Sequence, residues 1–97
     1  MGVRNLTICG EIDIVAVPEL RAQLNVLIIA TDDDLVLDCS EMTFIDSTGI
    51  AMFTYAHRAL ELRGRGCRID NMSAECRRSF AMLGLTEVLD ISDLGPT

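Results

Sequence analysis

The chain has 97 residues, 49% of them hydrophobic, and a formal net charge of −7. That length fits one domain with a real core, and its longest apolar stretch, Val26 to Ala30, is far short of the ~20 residues of a membrane span. The opening "MGVRNLTICGEI" has neither the charged start nor the apolar run of a secretory signal. Leu6 stands where a myristoylation site needs Ser or Thr, so a soluble cytoplasmic protein is expected.

The charge is uneven. Residues 1–57 hold nine acids against Arg4 and Arg21, whereas residues 58–97 hold six acids and six arginines. Such an acidic half repels nucleic-acid phosphates and favours a basic protein partner. The run Asp32-Asp33-Asp34 is equally well read as a solvated loop.

Residues 3–9 predict a first strand, ended by "GEID". Pro18 then stands where a helix can start, since its missing N–H is not needed in the first turn. Leu20, Leu24, Leu27 and Ile28 follow at helical spacing, and the acidic run stops the helix. Leu35 to Cys39 read as a short strand. Residues 47–63 predict a long helix stopped at Gly64 and Gly66. Cys67-Arg68-Ile69 open another strand, and Ser73 N-caps a helix through Leu83, closed by Gly84. Val88 to Ile91 predict a last strand, followed by a frayed tail, "SDLGPT". Strands alternating with helices imply an α/β domain whose small sheet is mixed but mostly parallel, with about three helices.

Two features of the 47–63 helix stand out. Ile50, Phe53, His57 and Leu60 form one apolar stripe, assigned to the core. Met52, Tyr55, Ala59 and Leu62 form a second, which fits either packing under the 73–83 helix or a partner-binding surface. His57 reads as a satisfied, partly buried histidine. Cys9, Cys39, Cys67 and Cys76 lack the spacing of a metal site and read as small buried hydrophobes. Neither metal nor cofactor is expected.

The junction "FIDSTGI", residues 44–50, carries the chemistry. Asp46 or Ser47 can N-cap the helix with a side-chain oxygen, and that role alone accounts for both residues. A nucleophilic serine is poorly supported, because His57 lies ten residues along the same helix, about 15 Å away. The Gly-x-Ser-x-Gly elbow and the phosphate-loop signatures are also absent. Phosphorylation of Ser47 is the second reading. Free N–H groups and the helix dipole would favour a phosphate there, and about −1.5 to −2 charges would be added beside Asp46.

Gly10-Glu11-Ile12-Asp13, "LVLDCSEMTFIDSTGI" at Leu35–Ile50 and "SAECRRSFAMLGL" at Ser73–Leu85 together resemble the STAS family. That family comprises anti-sigma factor antagonists and sulphate transporter tails. The similarity covers nearly the whole chain, so residues 1–97 are expected to form one STAS-like domain. The resemblance implies a non-enzymatic antagonist that binds an anti-sigma factor and so releases a sigma factor. It implies that this anti-sigma factor is a serine kinase that inactivates the antagonist at Ser47, with a phosphatase restoring binding. Asp13, Asp46, Ser47, Thr48 and Gly49 would form the docking surface, extended by Met52 and Tyr55 of the second stripe. Family members usually carry one more strand before the first and one more helix at the end. Val3–Cys9 is therefore expected to expose an edge through which a homodimer can form. The rival readings are an adaptor subunit of a membrane transport system, with Ser47 only a cap, and a ligand-sensing domain.

Overall fold

A computed structural model describes residues 2–92. In chain order it contains β1 (Val3–Ile12), α1 (Val17–Ala30), β2 (Asp34–Ile45), α2 (Ser47–Glu61), β3 (Cys67–Asp70), α3 (Ala74–Met82) and β4 (Asp90–Ile91), with a 3-10 turn at Leu85–Glu87 before β4. The four strands lie in sequence order, and every described pairing is parallel. Among the described residues the sheet is thus parallel, in keeping with the mostly parallel sheet and three helices expected. Right-handed crossovers between successive neighbours put all three helices on one face.

Register fixes which side chains meet those helices. Leu6, Leu37, Ile69 and Ile91 align across the four strands, and the last three of them are buried. One position further along, Thr7, Asp38 and Asp70 align on the opposite, polar face. Leu24, Ile28, Phe53, Leu60 and Phe80 close the core from the helix side. Phe53 and Phe80 meet edge to face, with ring centroids 5.8 Å apart.

Both early strands outrun their predicted limits. β1 continues through "GEI" because Gly10 adopts φ +77° and lets the strand bend without ending. β2 runs on through "SEMTFI", whose polar letters imitate a turn. Register shifts against β1 absorb its extra residues, and Met42 and Ile45 still reach the core. β1 lies at the edge of the sheet. Val88 precedes the last strand rather than beginning it. Of the predicted frayed tail, residues 93–97 lie outside the described residues.

The second stripe of α2 is covered from within, and by α1 rather than α3. Met52 is 3% exposed and belongs to the core. Tyr55 donates its hydroxyl to Asn25 Oδ1, and the Arg21 guanidinium lies over its ring at 4.2 Å. Met52 is thus too deeply buried to extend an outer docking surface, whereas Tyr55, only partly buried at the seam between α1 and α2, keeps some exposed surface. Leu62 alone of that stripe is well exposed. His57 is only partly satisfied: its Nε2 sits 3.7 Å from Glu61 Oε2, while its buried Nδ1 has no partner among the described residues.

Cys39, Cys67 and Cys76 are buried as predicted, but Cys9 is exposed. The strand alternates, so burying Ile8 turns Cys9 outward. Burial pushes the Cys39 thiol up to about 12 and the Cys67 thiol to about 11, which keeps both protonated and inert. The acidic run is not idle either. Asp33 accepts from Gly2 N and from the Arg4 guanidinium, and Asp34 accepts from Gly66 N. No helix among the described residues is long and apolar enough to cross a membrane.

One long-range clamp escaped sequence reading. Arg65 donates to the carbonyls of Asp33 at 2.8 Å, Ile28 at 2.6 Å and Leu27 at 3.3 Å, and to Thr31 Oγ1 at 3.2 Å. It thereby satisfies the orphan carbonyls at the end of α1. Arg65→Ala is expected to cost about 1–3 kcal/mol in denaturant unfolding. Arg65→Lys should recover only part of this, since one ammonium cannot span the fork of acceptors.

Candidate functional site

The candidate site lies where the ends of β1 and β2 meet the start of α2. Ile12 and Ile45 are register partners, and Asp46 N donates to Ile12 O at 3.2 Å. The chain then turns into α2, and Asp46, in extended conformation, is its N-cap. A single oxygen, Asp46 Oδ1, accepts from Thr48 N at 2.9 Å, Thr48 Oγ1 at 2.6 Å and Gly49 N at 3.0 Å.

This geometry settles the division of labour between Asp46 and Ser47. Asp46 does the capping. Ser47 is the first helical residue, exposed, and its hydroxyl has no hydrogen-bond partner among the described residues. It also revises the expectation that a phosphate here would find free N–H groups. Those of Thr48 and Gly49 are already taken by Asp46, and Ile50 N bonds Asp46 O at 3.0 Å. Of these first-turn amides only the Ser47 N–H has no partner among the described residues, and a phosphate on Ser47 would stand beside the Asp46 carboxylate.

Gly49 is buried for a steric reason. A Cβ at this position would lie 2.7 Å from Ile12 O, 2.7 Å from Ile45 Cγ1 and 3.0 Å from Ile12 Cγ2. The first turn of α2 thus rides directly on the β1 backbone. Ala is ordinarily favoured over Gly in a helix by ~1 kcal/mol, yet here the obstruction is a fixed carbonyl. Gly49→Ala should lower stability by about 1–3 kcal/mol net of that gain. Thermal melts that match wild type would refute the close approach.

The β1–α1 loop closes the other side. Asp13 Oδ1 accepts from Val15 N and Ala16 N, both at 3.1 Å. The Asp13 carbonyl accepts from Ala16 N and Val17 N. Asp13, Asp46, Ser47, Thr48 and Gly49 are therefore gathered at one end of the sheet, while Met52 and Tyr55 lie behind it. A groove of about 330 Å³ lined by Thr7, Ile8, Ile12, Ala16, Leu20 and Gln23 runs between β1 and α1. His57 offers no base, being three turns along α2 and turned to Glu61.

The Asp46 carboxyl is held below its ordinary 3.8, chiefly by the Thr48 hydroxyl and then by Gly49 N–H. Asp38, held chiefly by the Asn71 side chain, and Asp33, held chiefly by Gly2 N–H, are lowered too. A carboxyl depressed on folding adds stability above its unfolded pKa that is lost as pH falls through the folded one. Asp46→Asn keeps an oxygen for the cap but does not titrate. Its melting temperature should therefore fall less steeply than wild type as pH drops below the ordinary carboxylate range. Parallel pH profiles would count against this role.

The STAS domain model matches residues 2–95, and the chain belongs to the STAS domain family. Among curated relatives, the anti-sigma-B factor antagonist of Bacillus subtilis (strain 168) is 31% identical over 87 residues, covering 90% of this chain and 79% of the relative. That of Listeria monocytogenes is 27% identical over 90 residues, covering 93% and 79%. Among solved structures, the anti-sigma factor antagonist SpoIIAA in its unphosphorylated form aligns with a TM-score of 0.79 at 22% identity, over 96% of this chain and 82% of the other. A sulfate transporter family protein from Wolinella succinogenes gives a TM-score of 0.78 at 21% identity, over 92% and 75%. SpoIIAA in its phosphorylated form gives 0.71 at 22%, over 95% and 84%. At these identities the structures speak for the fold.

Proposed function

We propose that this chain is an anti-sigma factor antagonist. It binds, in the cytoplasm, an anti-sigma factor that is also a serine kinase. Phosphorylation of Ser47 switches it off, and a phosphatase restores it. The observation that carries this reading is the free, exposed hydroxyl of Ser47 on a helix start whose cap is built entirely by its neighbour Asp46.

Because Ser47 holds nothing in place, adding about −1.5 to −2 charges to it leaves the fold intact and alters only the surface. Docking rests on Asp13, Asp46, Ser47 and Thr48, with Gly49 bringing the two chain segments together. Met52 and Tyr55 support the helix from behind. The added charge sits beside an existing carboxylate, so a basic partner matched to the unmodified surface meets a changed charge and a new bulk. The names of the curated relatives support the antagonist role.

Incubation with ATP and each anti-sigma kinase of the same genome is expected to add one phosphate to wild type by intact mass. Ser47→Ala should gain none, keep the wild-type melting temperature and still bind the kinase. Absence of phosphate transfer from every such kinase would overturn the switch.

A further inference from the structure

The loop beside Ser47 displays two large aliphatic side chains that the core does not use. Ile14 is 69% exposed and Val15 is 83% exposed. Exposed aliphatics are common singly, but these two are adjacent and sit on a loop with little freedom. Asp13 Oδ1 accepts the N–H groups of Val15 and Ala16, and the Asp13 carbonyl accepts those of Ala16 and Val17. On the other side, Ile12 O, just before the loop, accepts the Asp46 N–H at 3.2 Å. The loop is thus tied to the start of α1 and begins one residue after the Ile12 carbonyl that receives the Asp46 N–H. Phe44, half-exposed and the register partner of Glu11, adds apolar surface at the same end of the sheet.

We infer that Ile14 and Val15 are the apolar anchors of the partner interface, inserted into a hydrophobic recess of the anti-sigma factor. This deepens the proposed function and rests on it. A rigid loop loses little conformational entropy when it docks, which is why preordered aliphatics contribute more than mobile ones. The charge around the anchors selects the occupant. Segments 10–20 and 41–50, which meet at this end of the sheet, carry Glu11, Asp13, Glu19, Glu41 and Asp46, and neither contains an arginine or lysine. A second copy of this chain would set those acids against one another. The matching surface is an apolar recess rimmed by basic side chains, with hydrophobic contact at the centre and charge at the rim.

The anchors also explain how one phosphate can act on the complex. Ser47 follows Asp46, whose N–H is bonded to the Ile12 carbonyl two residues before Ile14, so its phosphate would enter the rim next to the buried contact. There, charge without a partner carries a desolvation cost.

The test is binding of the unphosphorylated full chain to the anti-sigma kinases of the same genome, by calorimetry or surface plasmon resonance. Three proteins are compared: wild type, Ile14→Ser with Val15→Ser, and Val26→Ser with Ile29→Ser. Val26 and Ile29 are 63% and 75% exposed on the outer side of α1 and serve as the control. The loop double variant should weaken binding by about tenfold or more, as expected for central anchors. Its melting temperature should be unchanged, and the α1 pair should bind like wild type. Equal affinity of wild type and loop variant overturns the anchors while leaving the proposed function standing. Equal loss in the two double variants overturns the anchors too, because it marks a general effect of surface apolarity. No binding by wild type to any of these kinases overturns the proposed function, and the anchors with it.

Discussion

The approach of the α2 helix start to the end of β1 is the constraint on which the rest of this structure turns. With no side chain at Gly49, the first turn of α2 lies against the Ile12 carbonyl, and that same carbonyl receives the Asp46 N–H. Two segments more than thirty residues apart are thereby joined by backbone alone. Once joined, they hold the β1–α1 loop and the Ser47 hydroxyl at a shared surface. Moving α2 outward would separate the loop from the serine and strip the Asp46 cap of its setting.

Structural and functional duties are then separated residue by residue. Asp46 spends one carboxylate oxygen on three donors, Asp13 spends one on two, and both hold backbone in place. Ser47 stands between them with its oxygen uncommitted. A chemical change at a capping residue would be felt by the helix, whereas one at Ser47 is felt by whatever docks there. Elsewhere, the exposed pairs Arg4–Asp33 and Arg68–Asp70 contribute little to stability.

Much of this was legible in the letters. Helix-period leucines located α1, Ser73 located the α3 cap, and "FIDSTGI" marked the start of α2, because each is a local pattern with a local cause. The extent of β2 was not legible, since "SEMTF" has turn-like composition and becomes strand only by pairing with β1. The fate of Met52 and Tyr55 was not legible either. Periodicity showed that α2 has two apolar faces, but not that α1 would cover the second. Arg65 resembled a surface arginine until the fold brought the end of α1 to it.

The sequence by itself determined the alternation of strands and helices, the acidic character of the site and the presence of an Asp-Ser-x-Gly helix start. These depend on side-chain type and on spacing within a turn or two. Only the tertiary structure decided that Asp46 rather than Ser47 caps α2, because the two are equivalent on spacing and differ only in where the chain turns after Ile45. It alone decided that Gly49 is demanded by a neighbouring carbonyl, and that Ile14 and Val15 face solvent beside the serine. Those outcomes depend on contacts between segments distant along the chain, which no local pattern encodes.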